Sequence, residues 1–243
     1  MNFLDSAVTL TLNEFSQVSW SFDYAMVFFA SAHLAKGGIF MAVLWWWWFK
    51  DGNKKFDYRE RVISALLSAF VAVAAGRILA IILPFRARPL HETSIDFLPP
   101  LGMTSNVLEG WSSFPSDHAV LFFSLSVSLF FLSRKLGLCA LAYTVFLIAF
   151  PRIYIGFHYA SDILVGGIIG AGIGLLGNSR IVVDNVSGRV LGCANSTPAL
   201  FYPVLFLLTF QIAEMFESTR EGIKFAVHVY EQACLPNESL VLK

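Results

Sequence analysis

The sequence predicts an all-α integral membrane protein, a bundle of six spanning helices with a polar active site at the interface on its outer face. Three observations carry that expectation. Only 14% of the 243 residues are Asp, Glu, Lys or Arg, where soluble domains carry about 25%. Hydrophobic residues make up 56% of the chain, with 24 Phe, and the mean hydropathy is +0.66. That is more apolar side chain than a core of this size can hide, so much of it must face lipid. Six stretches also approach the roughly 20 apolar residues that a helix needs to cross a hydrocarbon core of about 30 Å.

In chain order, the spans are expected at Tyr24 to Phe49, Val62 to Phe85, His118 to Ser133, Leu136 to Phe150, Ala160 to Gly177 and Pro198 to Met215. The third and fourth have short charge-free centres and borrow polar residues at their ends. Residues 1–20 contain no Lys or Arg, so they lack the basic region of a cleavable signal peptide and read as an interfacial amphipathic segment. The run Trp45 to Trp48 beside Lys50 reads as an aromatic belt at the end of the first span. Gly166, Gly167, Gly170, Gly172, Gly174 and Gly177 give the fifth span overlapping small-xxx-small pairs, which let helix backbones approach closely. Residues 216–243 read as an amphipathic C-terminal tail, and residues 1–243 as one domain.

Basic residues orient the bundle. Lys50, Lys54, Lys55, Arg59 and Arg61 follow the first span, Arg134 and Lys135 the third, and Arg180 and Arg189 the fifth. Those connections are expected in the cytoplasm. The opposite side receives the loop from Arg86 to Asp117, the turn from Pro151 to Phe157, and both termini. Arg86, Arg88 and Arg152 break the bias there.

Several classes are excluded by composition. Seventeen basic and seventeen acidic residues cancel to zero net charge, which removes the general attraction that nucleic-acid binding uses. Cys139, Cys193 and Cys234 form no close-spaced pair, so neither a disulfide framework nor a cysteine zinc site is expected. His91, Glu92, Asp96 and Glu109 lack ligand spacing, and neither a metal nor another cofactor is expected.

Three polar clusters are assigned to the outer face. Arg86 and Arg88, in Arg86-Ala87-Arg88-Pro89, present planar donor forks suited to phosphate oxygens. Pro115, Ser116, Asp117 and His118 open the third span, where unpaired N–H groups and the positive end of the helix dipole favour an anion. Arg152, His158 and Asp162 surround the turn into the fifth span. His158 and Asp162 are four apart and share a helix face, so the carboxylate is expected to hold one ring nitrogen as N–H and free the other as base or nucleophile.

This combination resembles the type 2 phosphatidic acid phosphatase superfamily, whose motifs read K-x6-RP, PSGH and SR-x5-H-x3-D. Arg152-x5-His158-x3-Asp162 matches the third spacing, with Pro151 in place of Ser. Arg88-Pro89 match the first, but Ile81 stands where the family has lysine, leaving Arg77 or Arg86 to supply the charge. Asp117 replaces Gly in the second, and the form Phe-Pro-Ser-Asp-His is similar to the undecaprenyl-diphosphatase branch. The resemblance implies a lipid phosphate or diphosphate substrate drawn from the membrane, His158 as nucleophile, His118 as acid and base, and Asp162 as orienting carboxylate. Arg88, Arg152 and Ser116, with Arg86 or Arg77, would bind phosphate. It also implies a bacterial plasma membrane with the site outside. Phosphatidic acid, phosphatidylglycerophosphate and lipid A phosphates are alternative substrates. A transporter with midplane charges at Arg77, His33 and Lys36 is the alternative from another class; otherwise His33 and Lys36 read as paired inside the bundle or snorkelling.

Overall fold

The computed structural model describes residues 3–50, 55–104 and 107–234; Lys54 and the last nine residues of the expected tail lie outside them. Among the described residues the chain is helical with no strand. The helices are α1 (Phe3–Asn13), α2 (Trp20–Ser31), α3 (Ile39–Phe49), α4 (Lys55–Ile82), α5 (Asp117–Phe130) and α6 (Arg134–Tyr143). They continue with α7 (Phe150–Tyr154), α8 (Ala160–Gly177), the single turn α9 (Arg180–Val182), α10 (Gly188–Ser196), α11 (Pro198–Ala213) and α12 (Glu217–Cys234).

Among the described residues, three helical stretches are long and apolar enough to cross a membrane: Asp57–Ile82, Arg134–Tyr154 and Ala160–Gly177. The last coincides with the expected fifth span. The expected first span is broken, because Trp20–Ser31 and Leu34–Phe49 meet at 69°. Ala32 is extended there, with φ −67° and ψ 105°, and a π-helical turn follows over Leu34–Gly38. Gly37 permits close contact beyond the bend, since a Cβ on it would stand 2.3 Å from the Ala213 carbonyl oxygen of α11. The expected sixth span turns by 90° into Glu217–Val227, through left-handed Met215 and Phe216. Counting each bent pair as one, the apolar spans among the described residues number up to five, and α5 has only 14 residues.

α5 forms the centre, with Val120, Leu121, Phe122 and Leu125 wholly buried. α8 lies on it through a glycine seam: a Cβ at Gly166, Gly170 or Gly174 would approach the carbonyl oxygens of Ser116, Val120 and Ser124 to 2.7, 2.2 and 2.6 Å respectively. Backbone therefore meets backbone at every turn of the expected small-residue stripe, where dispersion contacts replace a hydrophobic driving force. At the far end Arg61 Nη1 donates to the Asn178 carbonyl at 2.7 Å, joining the start of α4 to the end of α8. The end of α4 and the starts of α5 and α8 consequently share the opposite end.

Two expected environments differ from the structure. α1 turns its polar side inward, burying Asp5 and Thr9 while Phe3, Leu4 and Leu10 are exposed. Of the tryptophan run, Trp46 faces outward, but Trp47 and Trp48 are buried among Tyr58, Phe201 and Tyr202. Core packing takes half of the belt because consecutive helical residues point in different directions.

Candidate active site

A cavity of about 380 Å³ opens where α4 ends and α5 and α8 begin, and Arg77, Arg88, Asp117, His118, Arg152 and His158 line it. Three separate sequence clusters are thus brought to one place. Helix starts and the α7–α8 turn hold them: Gly156, at φ +74°, turns the chain after α7, and its carbonyl receives the Leu90 N–H at 3.0 Å. This links the Arg88 loop to the His158 turn.

Arg88 is buried and fixed by backbone oxygens. Its Nη1 donates to Phe157 at 2.7 Å, Nη2 to Ser112 at 3.1 Å and Nε to Trp111 at 3.2 Å. The guanidinium carries five N–H groups, so donors remain for a ligand.

His158 Nδ1–H donates to the Ser113 carbonyl at 2.8 Å, which fixes the tautomer and leaves Nε2 unprotonated on the cavity side. Asp162 Oδ2 is 3.9 Å from that Nδ1, too far for a hydrogen bond. The expected direct His–Asp arrangement is therefore corrected. Asp162 instead receives the Tyr159 N–H at 2.8 Å and an Arg86 Nη1–H at 2.5 Å, so it organises the start of α8 from behind the histidine.

Burial pushes the His158 imidazole well below its ordinary titration range, and the guanidiniums of Arg88 and Arg152 act in the same direction. A depressed value keeps the ring neutral into mildly acidic solution. At pH 6, where an exposed histidine of pKa about 6.5 is roughly three-quarters protonated, His158 is expected to stay neutral. Nitrogen-15 NMR of histidine-labelled protein checks this, and an imidazolium signal for His158 at that pH would contradict it.

The second histidine is held from both sides. His118 Nδ1–H donates to its neighbour Asp117 at 2.7 Å, and Nε2 accepts from Arg152 Nη2 at 2.5 Å. Asp117 Oδ1 also takes the His118 backbone N–H at 2.7 Å, and Oδ2 pairs with Arg77 at 2.9 Å. The chain's own carboxylate thereby occupies part of the anion site expected at the start of α5. Asp117 is an orienting partner of His118, and its charge is balanced by Arg77.

Of the two arginines considered for the missing first-motif charge, Arg77 lines the cavity and Arg86 does not. Arg86 is turned toward Asp5, 2.6 Å away, and Asp162, 2.5 Å away. Its expected contact with phosphate is thus corrected, because two buried carboxylates already hold it. Burial opposes the charge on Asp5, but the Ser161 backbone N–H, Arg86 and the Ser161 hydroxyl hold its carboxyl below the ordinary range. Ser116 is also corrected: it is fully buried and caps α5, receiving the Ala119 N–H at 3.4 Å.

Sequence reasoning missed Asp5, Ser113 and Lys36. Asp5 reaches Arg86 across 81 positions, and Ser113 acts through its carbonyl, which no side-chain pattern reveals. Lys36 offered a signal, since a charge inside a span is costly and marks function. The cavity is closed on another side by Glu217, Arg220 and Glu221 of α12, and Glu217 pairs with His33 at 2.7 Å. The first turns of the expected tail are therefore part of the wall.

Residues 84–192, which contain Arg88, both histidines and Asp162, match the PAP2 superfamily. The likeness to the PAP2 superfamily covers that segment, a little under half of the chain. Among curated relatives it is 32% identical over 120 residues to "Bacitracin transport permease protein BcrC" of Bacillus licheniformis, covering 46% of this chain and 51% of that protein. It is 25% identical over 154 residues to "Undecaprenyl-diphosphatase BcrC" of Bacillus subtilis, covering 63% and 72%. It is 29% identical over 166 residues to "Lipid A 1-diphosphate synthase" of Escherichia coli, covering 67% and 66%. The chain thus spans about half the length of the first relative and more of the other two. No solved structure matches it.

Proposed function

We propose that this PAP2 protein is a lipid phosphatase that removes the terminal phosphate of a polyprenyl diphosphate, giving the monophosphate and inorganic phosphate. The observation that carries the reading is the pair His158 and His118 on one cavity with Arg88 and Arg152 between backbone anchors. His158 Nε2 attacks the terminal phosphorus, and the bond from phosphorus to the bridging oxygen breaks with its electron pair on that oxygen. His118, whose Nε2 takes a proton from solvent once Arg152 turns to the phosphate and whose Nδ1–H stays on Asp117, gives the leaving oxygen that proton. Water then loses a proton to His118 and its oxygen attacks the phosphohistidine, releasing phosphate and restoring His158. Arg88 and Arg152 stabilise the equatorial oxygens, where phosphoryl transfer gains most of its electrostatic help. Arg152 leaves His118 Nε2 for phosphate as the substrate enters.

The proposed topology counts α5 and both bent pairs as spans, six in all. With Arg59, Arg61, Arg134 and Lys135 at the far end, the positive-inside rule puts the cavity outside a bacterial plasma membrane. The name of the Bacillus subtilis relative favours undecaprenyl diphosphate, while that of the Escherichia coli relative keeps a lipid A phosphate as the second reading.

Phosphate release from undecaprenyl diphosphate, phosphatidic acid, phosphatidylglycerophosphate and lipid A by the purified protein in detergent tests the reading. The diphosphate is expected to give the highest kcat/KM, with chelator making no difference. Release from none of the four would overturn the assignment, and transport without hydrolysis would establish the alternative suggested by the word permease in the first relative's name.

A further inference from the structure

Lys36 lies outside the segment that matches the superfamily, in the π turn after the break in the first span. It is 3% exposed and lines the catalytic cavity. Its Nζ donates to the Ala30 carbonyl at 2.6 Å. That same oxygen receives Arg152 Nη2 at 3.3 Å, and Arg152 Nη2 in turn meets His118 Nε2 at 2.5 Å. The ammonium is therefore on the His118 side of the cavity, while Arg88 is tied to Phe157 beside His158. The break supplies the geometry: extended Ala32 interrupts the helix after Ser31 and leaves the Ala30 carbonyl to side-chain donors. The Tyr143 hydroxyl holds the following turn through Ala35 O at 2.5 Å. Arg77 is balanced by Asp117 at 2.9 Å, but among the described residues Lys36 has no carboxylate within ion-pairing distance. A buried lysine so placed has no direct anionic partner, with Glu217 and Asp117 acting on it only from a distance. Ile81, where the superfamily has a lysine, is 81% exposed and outside the cavity lining, so that position points away from any ligand.

We infer that Lys36 binds the leaving phosphate of the substrate and so selects a lipid diphosphate over a phosphomonoester. The inference rests on the reading above, in which His158 attacks in line and the leaving oxygen emerges beside His118. When a diphosphate is cleaved, the leaving group keeps a phosphate charge that an ammonium on that side can hold. A monoester leaves as a neutral alcohol and presents nothing to Lys36.

Turnover of undecaprenyl diphosphate and of phosphatidic acid by Lys36→Met and Lys36→Arg, in the detergent-solubilised full chain, tests this. Lys36→Met is expected to lose about thirtyfold or more in kcat/KM on the diphosphate and less than about threefold on the monoester, with Lys36→Arg recovering most of the loss. A purely structural lysine would lower both substrates alike, and that result, or native diphosphate turnover in Lys36→Met, overturns the inference. A second measurement needs neither variant folding nor hydrolysis. On the unsubstituted protein, inorganic diphosphate should shield Lys36 from acetic anhydride at about one-tenth of the inorganic phosphate concentration needed, as read by peptide mass spectrometry. Equal or absent shielding overturns the role of Lys36, whereas shielding without lipid turnover leaves it standing and removes the lipid phosphatase reading instead.

Discussion

Replacing His158 with alanine is expected to lower kcat by about 10⁴-fold or more, the scale on which removing a nucleophile abolishes covalent catalysis. The ring is buried, its Nδ1–H is committed to Ser113 O at 2.8 Å, and only Nε2 is left for the cavity. No neighbouring group can take its place, because His118 Nε2 faces Arg152 and its Nδ1 faces Asp117. Arg88 keeps its three backbone acceptors in the variant, so substrate should still bind and KM should change far less than kcat. His118→Ala separates the two histidines. It slows loss of the leaving group and also deprives water of its base, so radiolabelled phosphate should remain on the protein in that variant and never appear in His158→Ala. Label on both variants, or turnover surviving in His158→Ala, would move the nucleophile elsewhere.

The sequence made the central site legible where chemistry and helix periodicity act together. The spacing Arg152-x5-His158-x3-Asp162 placed three groups around the turn into one helix, and the structure has Arg152 in α7, His158 in the turn and Asp162 in the first turn of α8. The stripe Gly166, Gly170 and Gly174 foretold a close helix contact, and α5 supplies it. What escaped was what tertiary approach alone decides. A four-residue spacing permits a His–Asp contact but does not compel one: here a backbone carbonyl reaches Nδ1 first, and Asp162 is left at 3.9 Å. Arg86 and Arg88 looked equivalent as neighbours of Pro89. Residues two apart would share one face of regular extended backbone, but their partners separate them: Arg88 is tied to Phe157, Ser112 and Trp111 at the cavity, and Arg86 turns to Asp5 and Asp162. The break at Ala32 likewise has no proline or glycine to announce it, and it is the break that brings Lys36 to the cavity.

Gly170→Ala should show how strictly the site depends on the glycine seam. A Cβ there would lie 2.2 Å from the Val120 carbonyl oxygen and 3.0 Å from its Cα, distances at which backbone must move because no side chain can rotate away. Val120 ends the first turn of α5, two residues after His118 and four after the Ser116 cap, so forcing the helices apart shifts His118 relative to His158 on the other helix's approach turn. Overpacking a rigid contact costs about 1–3 kcal/mol, and in this position the larger end is expected. Gly172 provides the internal comparison, because nothing lies within 4 Å of a Cβ on it. There alanine relieves the helix of glycine's extra backbone freedom and should be neutral or stabilise by up to about 1 kcal/mol. Thermal unfolding in detergent should therefore move in opposite directions for the two substitutions, and phosphate release measured well below either transition should fall at least tenfold for Gly170→Ala while staying near native for Gly172→Ala, since a displacement of about 1 Å in a reacting group costs about 10²-fold. Matching unfolding temperatures for the two variants would mean that α5 and α8 are not in backbone contact, and the placement of both histidines on one cavity would then have to come from the loops alone.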